Sequence, residues 1–407
     1  MSLLPVEEAL ARVLDGVEPG APQRVALEAA LGRVLAEPLP ARLTQPPFPA
    51  SAMDGYAVRA ADVRTLPATL AVIGRAAAGH PFAGSVKAGE AVRIFTGAAV
   101  PDGADAIVIQ ENTAREGASV IVREGTIEAE HLRREGMDFR VGEPLLSAGR
   151  RLGPRELALA AAMGHGTLMV RRVPRVAVLS TGDELVPPGS TPGPGQIVAS
   201  NHLSVAGLAA AAGAEVRQLG IARDSREDLV RHFAMAADAD ILVSIGGVSV
   251  GDHDLVAPAL AERGVTPVFW KVNVRPGKPL MFGRMGRGEG AGRALGLPGN
   301  PGASLVGARL FLVPLIWRLL GRPVEEAVRP IAARAGTALA CNGSRQHYLH
   351  AISTPGDDGV LRVMPLPAQH SSLTAPLARA DCLLIRAPHA PPVAADSLVQ
   401  ILRLDLC

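Results

Sequence analysis

Between residues 173 and 322 the chain alternates between short apolar runs and helix-like segments. The runs RVAVLS, AEVRQLGIA, DILVSI, VTPVFWKV and ALGLPG are separated by segments such as HLSVAGLAAAAG and SREDLVRHFAMAA. Because a strand, a helix and a second strand of one sheet form a right-handed crossover, this alternation predicts a parallel sheet. The segment is therefore predicted to be a doubly wound α/β domain.

The rest of the chain shows other sequence patterns. Residues 5–39 show a helical pattern, VEEALARVL and then VALEAALGRVLAEPL, which returns in GPRELALAAAMGHG. Between these lie short β-like runs (LAVI, AVRIF, AIVI and SVIV), and the last eighty-odd residues are again β-rich. The predicted domains are a helical N-terminal domain of residues 1–45 and 140–172, an inserted β-rich domain of 46–139, the α/β domain of 173–322, and a C-terminal β-domain of 323–407.

Charge and cysteine content exclude several classes of protein. The 41 basic and 39 acidic residues give a net charge of only +2, too small for a general attraction to nucleic acid or an anionic membrane. The apolar stretches 157–163 and 310–320 are too short or too interrupted for a membrane helix, so none is expected. The N-terminus has no signal-peptide pattern, and the three cysteines form no CxxC pair. We expect a cytoplasmic protein with free thiols.

Glycine-containing loops follow three of the predicted strands: STGDEL, SIGGVSVGDHD and PGNPGAS. In an open α/β sheet, ligands bind beyond the carboxyl ends of the strands. Backbone N–H groups freed by glycine, or by a following helix N-terminus, can receive an anion such as phosphate. The ligand-binding residues predicted in these loops are Thr181, Gly182, Gly246, Gly247, Ser249, Pro298 and Asn300.

Carboxylates in the same loops would repel a phosphate unless a hard cation stands between them. Mg²⁺ is typically held by one or two carboxylates together with phosphate oxygens, so Glu184, Asp252 and Asp254 are candidate ligands. The alternative is that Asp252 caps the following helix and that Asp183 and Glu184 form a solvated turn. His253 lacks the companion spacing of a metal site and is predicted to be a surface residue or a neighbour of the ligands, not a ligand itself.

The segment WKVNVRPGKP places three cations, Lys271, Arg275 and Lys278, near the end of a predicted strand. These charges lie among apolar residues and a Pro-Gly-Lys-Pro turn, where flexible exposed lysines are less expected. The alternative is an ordinary solvated face. A local positive patch of this kind predicts a clamp for an oxyanion or a pyrophosphate.

Taken individually, three motifs outside the α/β domain are predicted to have structural roles. Asp54 in PFPASAMDGYAVR precedes a glycine as in a hairpin turn, and Thr96 follows a strand in RIFTGAAVPDGADAIV. Arg133, Arg134 and Asp138 lie in RREGMDFR. A function can be inferred for these motifs only when they are considered in combination.

In order and spacing, the motifs together resemble the molybdopterin molybdenumtransferases, the bacterial molybdenum-insertion enzymes related to the C-terminal part of gephyrin. The resemblance spans nearly the whole chain. It is carried by SAMDGYAVR, RIFTGAAVPDGADAIV, RREGMDFR, LSTGDEL, SIGGVSVGDHD, FWKVNVRPGKP and GLPGNP.

The resemblance implies an elongated homodimer of four-domain subunits, with an α/β domain like that of the molybdopterin adenylyltransferases. It implies insertion of molybdenum from molybdate into adenylylated molybdopterin, with Mg²⁺-assisted pyrophosphate cleavage and release of AMP. The site would lie in a cleft at the dimer interface, with residues from both subunits. Molybdopterin adenylyltransferase and molybdoenzyme-maturation proteins are candidate partners.

Residue by residue, the resemblance assigns catalytic roles to Asp54, Thr96, Arg133, Asp138, Asp224 and Lys271. It assigns the metal to Glu184 and Asp254, and substrate binding to Arg275, Lys278 and Ser371 in addition to the loop residues above. Two positions depart from the family pattern. Arg275 replaces a common lysine, which leaves a binding role but argues against a titrating one, and Gln369-His370-Ser371-Ser372 replaces Gln-Gly-Ser-Gly.

Two other functions remain open at this point. The α/β domain could itself adenylylate molybdopterin with ATP, although separate adenylyltransferases are single-domain proteins. The chain could also act as a gephyrin-like scaffold, although gephyrin-type chains carry an additional N-terminal domain and a long linker.

Overall fold

A computed structural model describes residues 3–123, 131–247, 255–286, 292–356 and 358–406. Four candidate residues of the sequence analysis, Ser249, Asp252, His253 and Asp254, lie outside these described residues.

The centre of the fold is a six-stranded mixed sheet with helices on both faces. Four adjacent strands run parallel, as predicted, and the next strand, Pro279–Met285, runs antiparallel to both of its neighbours, Arg293–Leu297 and the edge strand Val265–Lys271. Pro279–Met285 was not predicted, and the expectation of an all-parallel sheet is wrong there. Only residues 272–278 join Val265–Lys271 to Pro279–Met285, too few for a crossover, which needs about a dozen residues. The strand order is Glu215–Ala222, Arg175–Thr181, Ile241–Ile245, Arg293–Leu297, Pro279–Met285 and Val265–Lys271.

Alternate residues of the central strands face two separate cores. Val176 and Val178 pack into the core that also holds the helix Asn201–Ala211 and the long helical stretch Pro301–Leu319. Ala177 and Leu179 point to the opposite core, which is covered by the helices Arg226–Ala234 and Val256–Glu262. This two-sided arrangement confirms the doubly wound α/β domain.

The long stretch Pro301–Leu319 consists of helix Pro301–Gly307, a π-helical turn Ala308–Leu312 and helix Val313–Leu319. In the described part of the chain it is the one helix long and apolar enough to cross a bilayer by length and composition. However, 83% of its apolar window is buried inside the protein. It therefore occupies the position of a core helix.

The N-terminal region contains the predicted helices as Val6–Leu14 and Pro154–Ala162. A third predicted helix, over VALEAALGRVLAEPL, is wrong. Its first residues belong to strand Pro22–Ala26, which pairs antiparallel with Thr167–Arg171, and only a 3₁₀ turn, Leu27–Ala29, follows. Gly32, with a φ of 76°, and Pro38 interrupt any continuation, since neither residue favours a helix interior.

The inserted region is a second six-stranded sheet, and the predicted β-like runs are confirmed as its strands. All its neighbouring strands are antiparallel except Ala68–Ala76 and Glu90–Ile94, which are parallel. Apolar side chains form a core on each face. The strand order is Ala106–Ile109, Gly55–Val58, Glu90–Ile94, Ala68–Ala76, Ser119–Val122 and Thr113–Glu116.

Short strand pairs mark the path into and out of this sheet. Leu39–Pro40 pairs with Pro144–Leu146, and Ala50–Ser51 pairs with Leu132–Arg133. In the central domain, Leu185–Val186 pairs in parallel with Ile197–Val198. The last pair lies beside the ligand cavity described below.

The C-terminal region is a closed β-barrel, a more specific result than the β-domain that was predicted. The ring closes because Gln346–Pro355 pairs with both Leu361–Pro365 and Cys382–Arg386. A short strand of the central region, Val274–Arg275, joins the barrel by pairing with Gln346 and His347. The remaining barrel strands are Ile331–Ala335 and Leu398–Arg403, and two short helices, Val324–Ala327 and Thr374–Arg379, lie nearby in sequence. The four domain boundaries stay predictions.

Candidate functional site

Four parallel strands of the central sheet end side by side. Arg175–Thr181 lies between Glu215–Ala222 and Ile241–Ile245, and Arg293–Leu297 follows next in the sheet. The glycine-containing loops of the sequence analysis leave from these ends. The fold therefore brings together loops that are more than a hundred residues apart in the chain.

These loops line a cavity of about 650 Å³, here called the strand-end cavity. Eight of the residues predicted from the sequence contribute to it. Other lining residues were not predicted as ligand contacts, among them Ser200, Asn201, Pro301, Ser372 and Thr374. The eight predicted ones are Thr181, Gly182, Glu184, Asp224, Gly246, Gly247, Pro298 and Asn300.

Steric constraints explain why positions 246 and 247 are glycines. Their φ angles are 98° and 61°, in the left-handed region that side chains rarely adopt. A Cβ added to Gly246 would lie 2.6 Å from the carbonyl oxygen of Thr181, and one added to Gly247 would lie 2.4 Å from Val256 Cγ2. Glycine thus lets the end of one strand approach its neighbour.

The glycine loops supply fewer free donors than the sequence suggested. The N–H of Gly182 donates to the Ala222 carbonyl at 3.1 Å, and that of Gly246 to the Leu297 carbonyl at 3.0 Å. Gly302 N–H, at the start of the long helical stretch, donates to the Ser371 carbonyl at 2.8 Å. These three groups already have partners, because the strand ends and the barrel come close enough to use them.

Free donors lie instead at the start of the helix Asn201–Ala211. Among the described residues, nothing accepts a hydrogen bond from the backbone N–H of Asn201 or His202. The Asn201 side chain donates to the Gly299 carbonyl at 2.5 Å, which fixes this helix start against the third loop. The positive end of the helix dipole at the cavity favours an anion.

Asn201 was missed because the preceding segment, residues 187–196, reads as a turn-rich loop. The available signal was an Asn directly before the helical pattern of HLSVAGLAAAAG. The strand after this loop, Ile197–Val198, contributes both of its residues to the cavity wall, and they are 58% and 39% exposed. They add apolar surface to a cavity whose other loops are polar.

The C-terminal barrel contributes one edge of the cavity. Asn300 Nδ2 donates to Ser371 Oγ at 3.2 Å, and Ser372 and Thr374 line the cavity directly. Gln369 holds this loop through two bonds to the backbone of His350, at 3.0 and 2.9 Å. The sequence Gln369-His370-Ser371-Ser372 therefore reaches the cavity even though it departs from the family pattern.

Among the described residues, two exposed carboxylates, Glu184 and Asp224, face the strand-end cavity. Their neighbour Asp183 has a structural contact, because its Oδ1 accepts the Asp224 N–H at 3.1 Å and its carbonyl accepts Arg223 Nη1 at 2.8 Å. Within the described ranges, no group of three His, Cys, Asp or Glu residues could hold a metal ion. Two carboxylates are enough for an ion whose other ligands come from a phosphate.

The three cations of WKVNVRPGKP are exposed, which contradicts the expectation that they would be partly buried among apolar residues. Lys271, Arg275 and Lys278 project to solvent, while Pro279, the next residue along, lines the cavity. The apolar neighbours Val272 and Val274 turn inward instead, as alternation along an extended segment requires. The patch thus borders the strand-end cavity without forming its wall.

Arg275 also lies against the barrel through its pairing with His347. Burial, and then the charges of Arg275, Arg345 and His350, lower the pKa of His347 to about 4. His347 is therefore neutral at physiological pH. The positive charge of this border comes from the arginines and lysines.

In the inserted sheet, Asp54 and Thr96 are in direct contact. Asp54 Oδ1 accepts hydrogen bonds from the Thr96 backbone N–H and hydroxyl, each at 2.8 Å. These bonds, the backbone one first, lower the pKa of Asp54, and the charge of Arg93 adds to the effect. Arg93 stacks on the rings of Tyr56 and Phe95, with its guanidinium 5.1 and 4.9 Å from their centres.

Arg133 and Asp138 lie in a segment whose backbone pairs with residues 45–52, shortly before Asp54. Arg133 is in the strand that pairs with Ala50–Ser51, just before Asp54, and its side chain is exposed. Asp138 is also exposed, and its backbone N–H donates to Gln45. In the described part of the chain, no hydrogen bond or ion pair connects residues 46–139 to the central domain. The two groups of candidate residues therefore belong to separate parts of one subunit.

Comparison with known proteins matches three family models along the chain. They are described as "MoeA N-terminal region (domain I and II)" at residues 4–164, "Probable molybdopterin binding domain" at 177–318, and "MoeA C-terminal region (domain IV)" at 332–404. The matched ranges are consistent with the predicted order of the domains.

Curated relatives and solved structures match over nearly the whole length. The molybdopterin molybdenumtransferase of Haemophilus influenzae is 33% identical over 98% of both chains, and that of a Nostoc species is 38% identical over 86% of this chain and 80% of the relative. A crystal structure of a molybdopterin biosynthesis MoeA protein from Pyrococcus horikoshii, 29% identical, superposes with a TM-score of 0.82 over 99% of both chains. A second structure, 25% identical, gives 0.81 over 98% of this chain and 99% of that one.

Proposed function

The chain belongs to the molybdopterin molybdenumtransferase family of enzymes, and on this premise we propose that it inserts molybdenum from molybdate into adenylylated molybdopterin. The pyrophosphate link of that substrate is cleaved, AMP is released and molybdenum is left on the dithiolene sulfurs. The observation that carries the proposal is the meeting of strand-end loops, a helix N-terminus and two carboxylates at one cavity.

The strand-end cavity suits a nucleotide-linked pterin in size and chemistry. Its volume of about 650 Å³ lies within the usual range of ligand sites, which is roughly 300 to 1,000 Å³. The N-terminus of helix Asn201–Ala211 and the hydroxyls of Ser372 and Thr374 receive the anionic groups. The exposed apolar residues Ile197 and Val198 pack against the flat faces of the ligand.

Glu184 and Asp224 are the described residues that would hold Mg²⁺, and Asp254 remains a proposed third ligand. Both described carboxylates are exposed to the cavity, as a hard cation bound partly by phosphate oxygens requires. When bound, Mg²⁺ supplies positive charge to the pyrophosphate oxygens as the bond breaks.

The patch of three cations, Lys271, Arg275 and Lys278, acts as an oxyanion clamp. Lys271, Arg275 and Lys278 have no ion-pair partner among the described residues, so their charges are available to a ligand. Arg275 keeps its proton at any physiological pH, and its fork geometry suits two oxygens of one anion. Its role is therefore binding, without proton transfer.

The enzyme works as a cytoplasmic homodimer in which each site combines two subunits. The strand-end cavity comes from one subunit, and Asp54, Thr96, Arg133 and Asp138 come from the inserted domain of the partner subunit. Asp54, kept ionised by Thr96, orients a bound group through its charge. These residues position molybdate or support the transition state.

The function is tested by mixing the purified protein with adenylylated molybdopterin, Mg²⁺ and molybdate and following AMP by chromatography. Molybdate-dependent AMP release is expected. Release that is independent of molybdate, or that survives both Asp54→Ala and Glu184→Gln unchanged, would overturn the proposal. Mixed dimers carrying one variant in each subunit should recover activity that neither variant has alone, because one site is then intact.

The two alternative functions have distinct readouts in the same assay. An ATP-dependent adenylyltransferase would consume ATP in the presence of free molybdopterin. A scaffold would release no AMP and would instead form larger assemblies with a partner protein, which size-exclusion chromatography detects.

A further inference from the structure

A second cavity, of about 510 Å³, lies where the long helical stretch Pro301–Leu319 meets the C-terminal barrel. It shares no lining residue with the strand-end cavity. Four arginines line it, Arg309, Arg322, Arg329 and Arg403, and two carboxylates, Glu326 and Asp405. We call it the arginine cavity.

The arginines are only partly neutralised. Arg403 is paired in a two-pronged contact with Asp405, at 2.9 and 2.8 Å. Arg309, only 3% exposed, donates to two backbone carbonyls, those of Arg403 at 2.9 Å and Ala327 at 2.6 Å. Across the described ranges, neither Arg322 nor Arg329 forms an ion pair. The cavity therefore holds more positive than negative charge.

Trp317 adds an unused donor. Its side chain is 95% buried and lines the arginine cavity, and its indole Nε1 has no hydrogen-bond partner among the described residues. The Arg322 guanidinium stacks 3.3 Å from the centre of the Trp317 ring. A buried N–H without a partner costs free energy.

Burial lowers the pKa of two of these arginines. It lowers the pKa of Arg309 to about 10, against the opposing influence of Asp405. It also lowers the pKa of Arg322 to about 10, and the charge of Arg151 acts in the same direction. An anion in the cavity would offset the cost of holding both guanidinium groups charged.

We infer that the arginine cavity is a binding site for a tetrahedral oxyanion with two negative charges, such as sulfate or hydrogenphosphate. Guanidinium groups bind two oxygens of such an anion at once. Among the described lining residues, the excess of two guanidinium charges over the carboxylates matches a dianion. The inference does not depend on the proposed transferase function.

The test uses the tryptophan fluorescence of the full-length protein. The chain has two tryptophans, so Trp270→Phe leaves Trp317 as the single reporter. Titration with sodium sulfate or sodium phosphate, against sodium chloride at equal ionic strength, should give a saturable change with the tetrahedral anions only. Calorimetry on the wild-type protein gives the dissociation constant without a reporter mutation.

Matched variants separate specific binding from general salt effects. Arg329 is exposed, so Arg329→Gln removes a cavity charge without disturbing the packing of Trp317, and Arg322→Gln removes the stacked cation. Each should weaken binding about tenfold, whereas Arg115→Gln, the same change in the inserted sheet, should leave it unaltered. Equal responses to chloride and sulfate, or equal affinity in all three variants, would overturn the inference.

Discussion

Thr96 holds the Asp54 carboxylate with two hydrogen bonds to one oxygen, both 2.8 Å long. One bond comes from the backbone and one from the hydroxyl, so a single residue fixes the position of the acid. Because both donors favour the ionised carboxylate, Asp54 is charged throughout the physiological pH range. This pair is the best-defined part of the candidate site outside the α/β domain.

Replacing Thr96 by Val should raise the pKa of Asp54 part of the way to its ordinary value, since the hydroxyl is lost and the backbone bond remains. The contribution of the pair to stability is present above the ordinary pKa and is lost as the pH falls through the lowered one. Carboxyl NMR titration measures the shift, and AMP release should fall about tenfold. Thr96→Ser keeps the hydroxyl and serves as the control. An unchanged Asp54 titration in Thr96→Val would contradict the assigned contact.

Gly246→Ala should lower the free energy of unfolding by about 1 to 3 kcal/mol, because the left-handed backbone and the Thr181 carbonyl, 2.6 Å from the new Cβ, both oppose a side chain. Chemical denaturation measures the change. Gly299→Ala is the matched control in the neighbouring loop, since its nearest contact would be 3.8 Å away. Equal stability of the two variants would count against the close approach of the strand ends.

Glu184→Gln should weaken the apparent affinity for Mg²⁺ about 10- to 100-fold in the AMP-release assay, because a carboxylate facing the cavity is replaced by a neutral amide. The Mg²⁺ concentration for half-maximal rate is the quantity to measure. Glu227→Gln makes the same change in an exposed helix turn and should have no effect. If both variants keep the wild-type Mg²⁺ dependence, Glu184 is not a ligand.

Acid should weaken the junction between the central domain and the barrel. The pKa of His347 is lowered from 6.5 to about 4, so the unfolded chain takes up a proton at a higher pH than the folded protein. Its contribution to stability is therefore present above about pH 6.5 and is lost as the pH falls toward 4. His347→Gln should flatten this part of the plot of unfolding free energy against pH. A plot of the same slope in the variant would refute this explanation.

Much of the fold follows from local patterns. The strand runs of the α/β and inserted domains and the helix at Pro154 are fixed by periodicity and by proline and glycine at their ends. The helix predicted over VALEAALGRVLAEPL failed because its apolar spacing also suits a strand that pairs with a distant segment, Thr167–Arg171. That pairing partner is not visible within the segment itself.

The candidate site also has a part that could be predicted from the sequence and a part that could not. The three loops could be predicted because each directly follows a strand, and parallel strands end at one edge of the sheet. The pairing of Gly302 N–H with the Ser371 carbonyl could not, because it depends on how the barrel packs on the long helical stretch. The hydrogen bond from the Asn201 side chain to the Gly299 carbonyl could not be predicted either, because it joins residues 98 positions apart in the chain.

We expect molybdenum insertion and AMP release to be one coupled reaction at the strand-end cavity. The most direct measurement is the ratio of AMP released to molybdenum incorporated in a single turnover with Mg²⁺, molybdate and adenylylated molybdopterin. Equal molar amounts are expected for the wild-type protein, and a parallel loss of both is expected in Glu184→Gln. AMP formed without molybdenum incorporation, or in the same amount when molybdate is omitted, would contradict it.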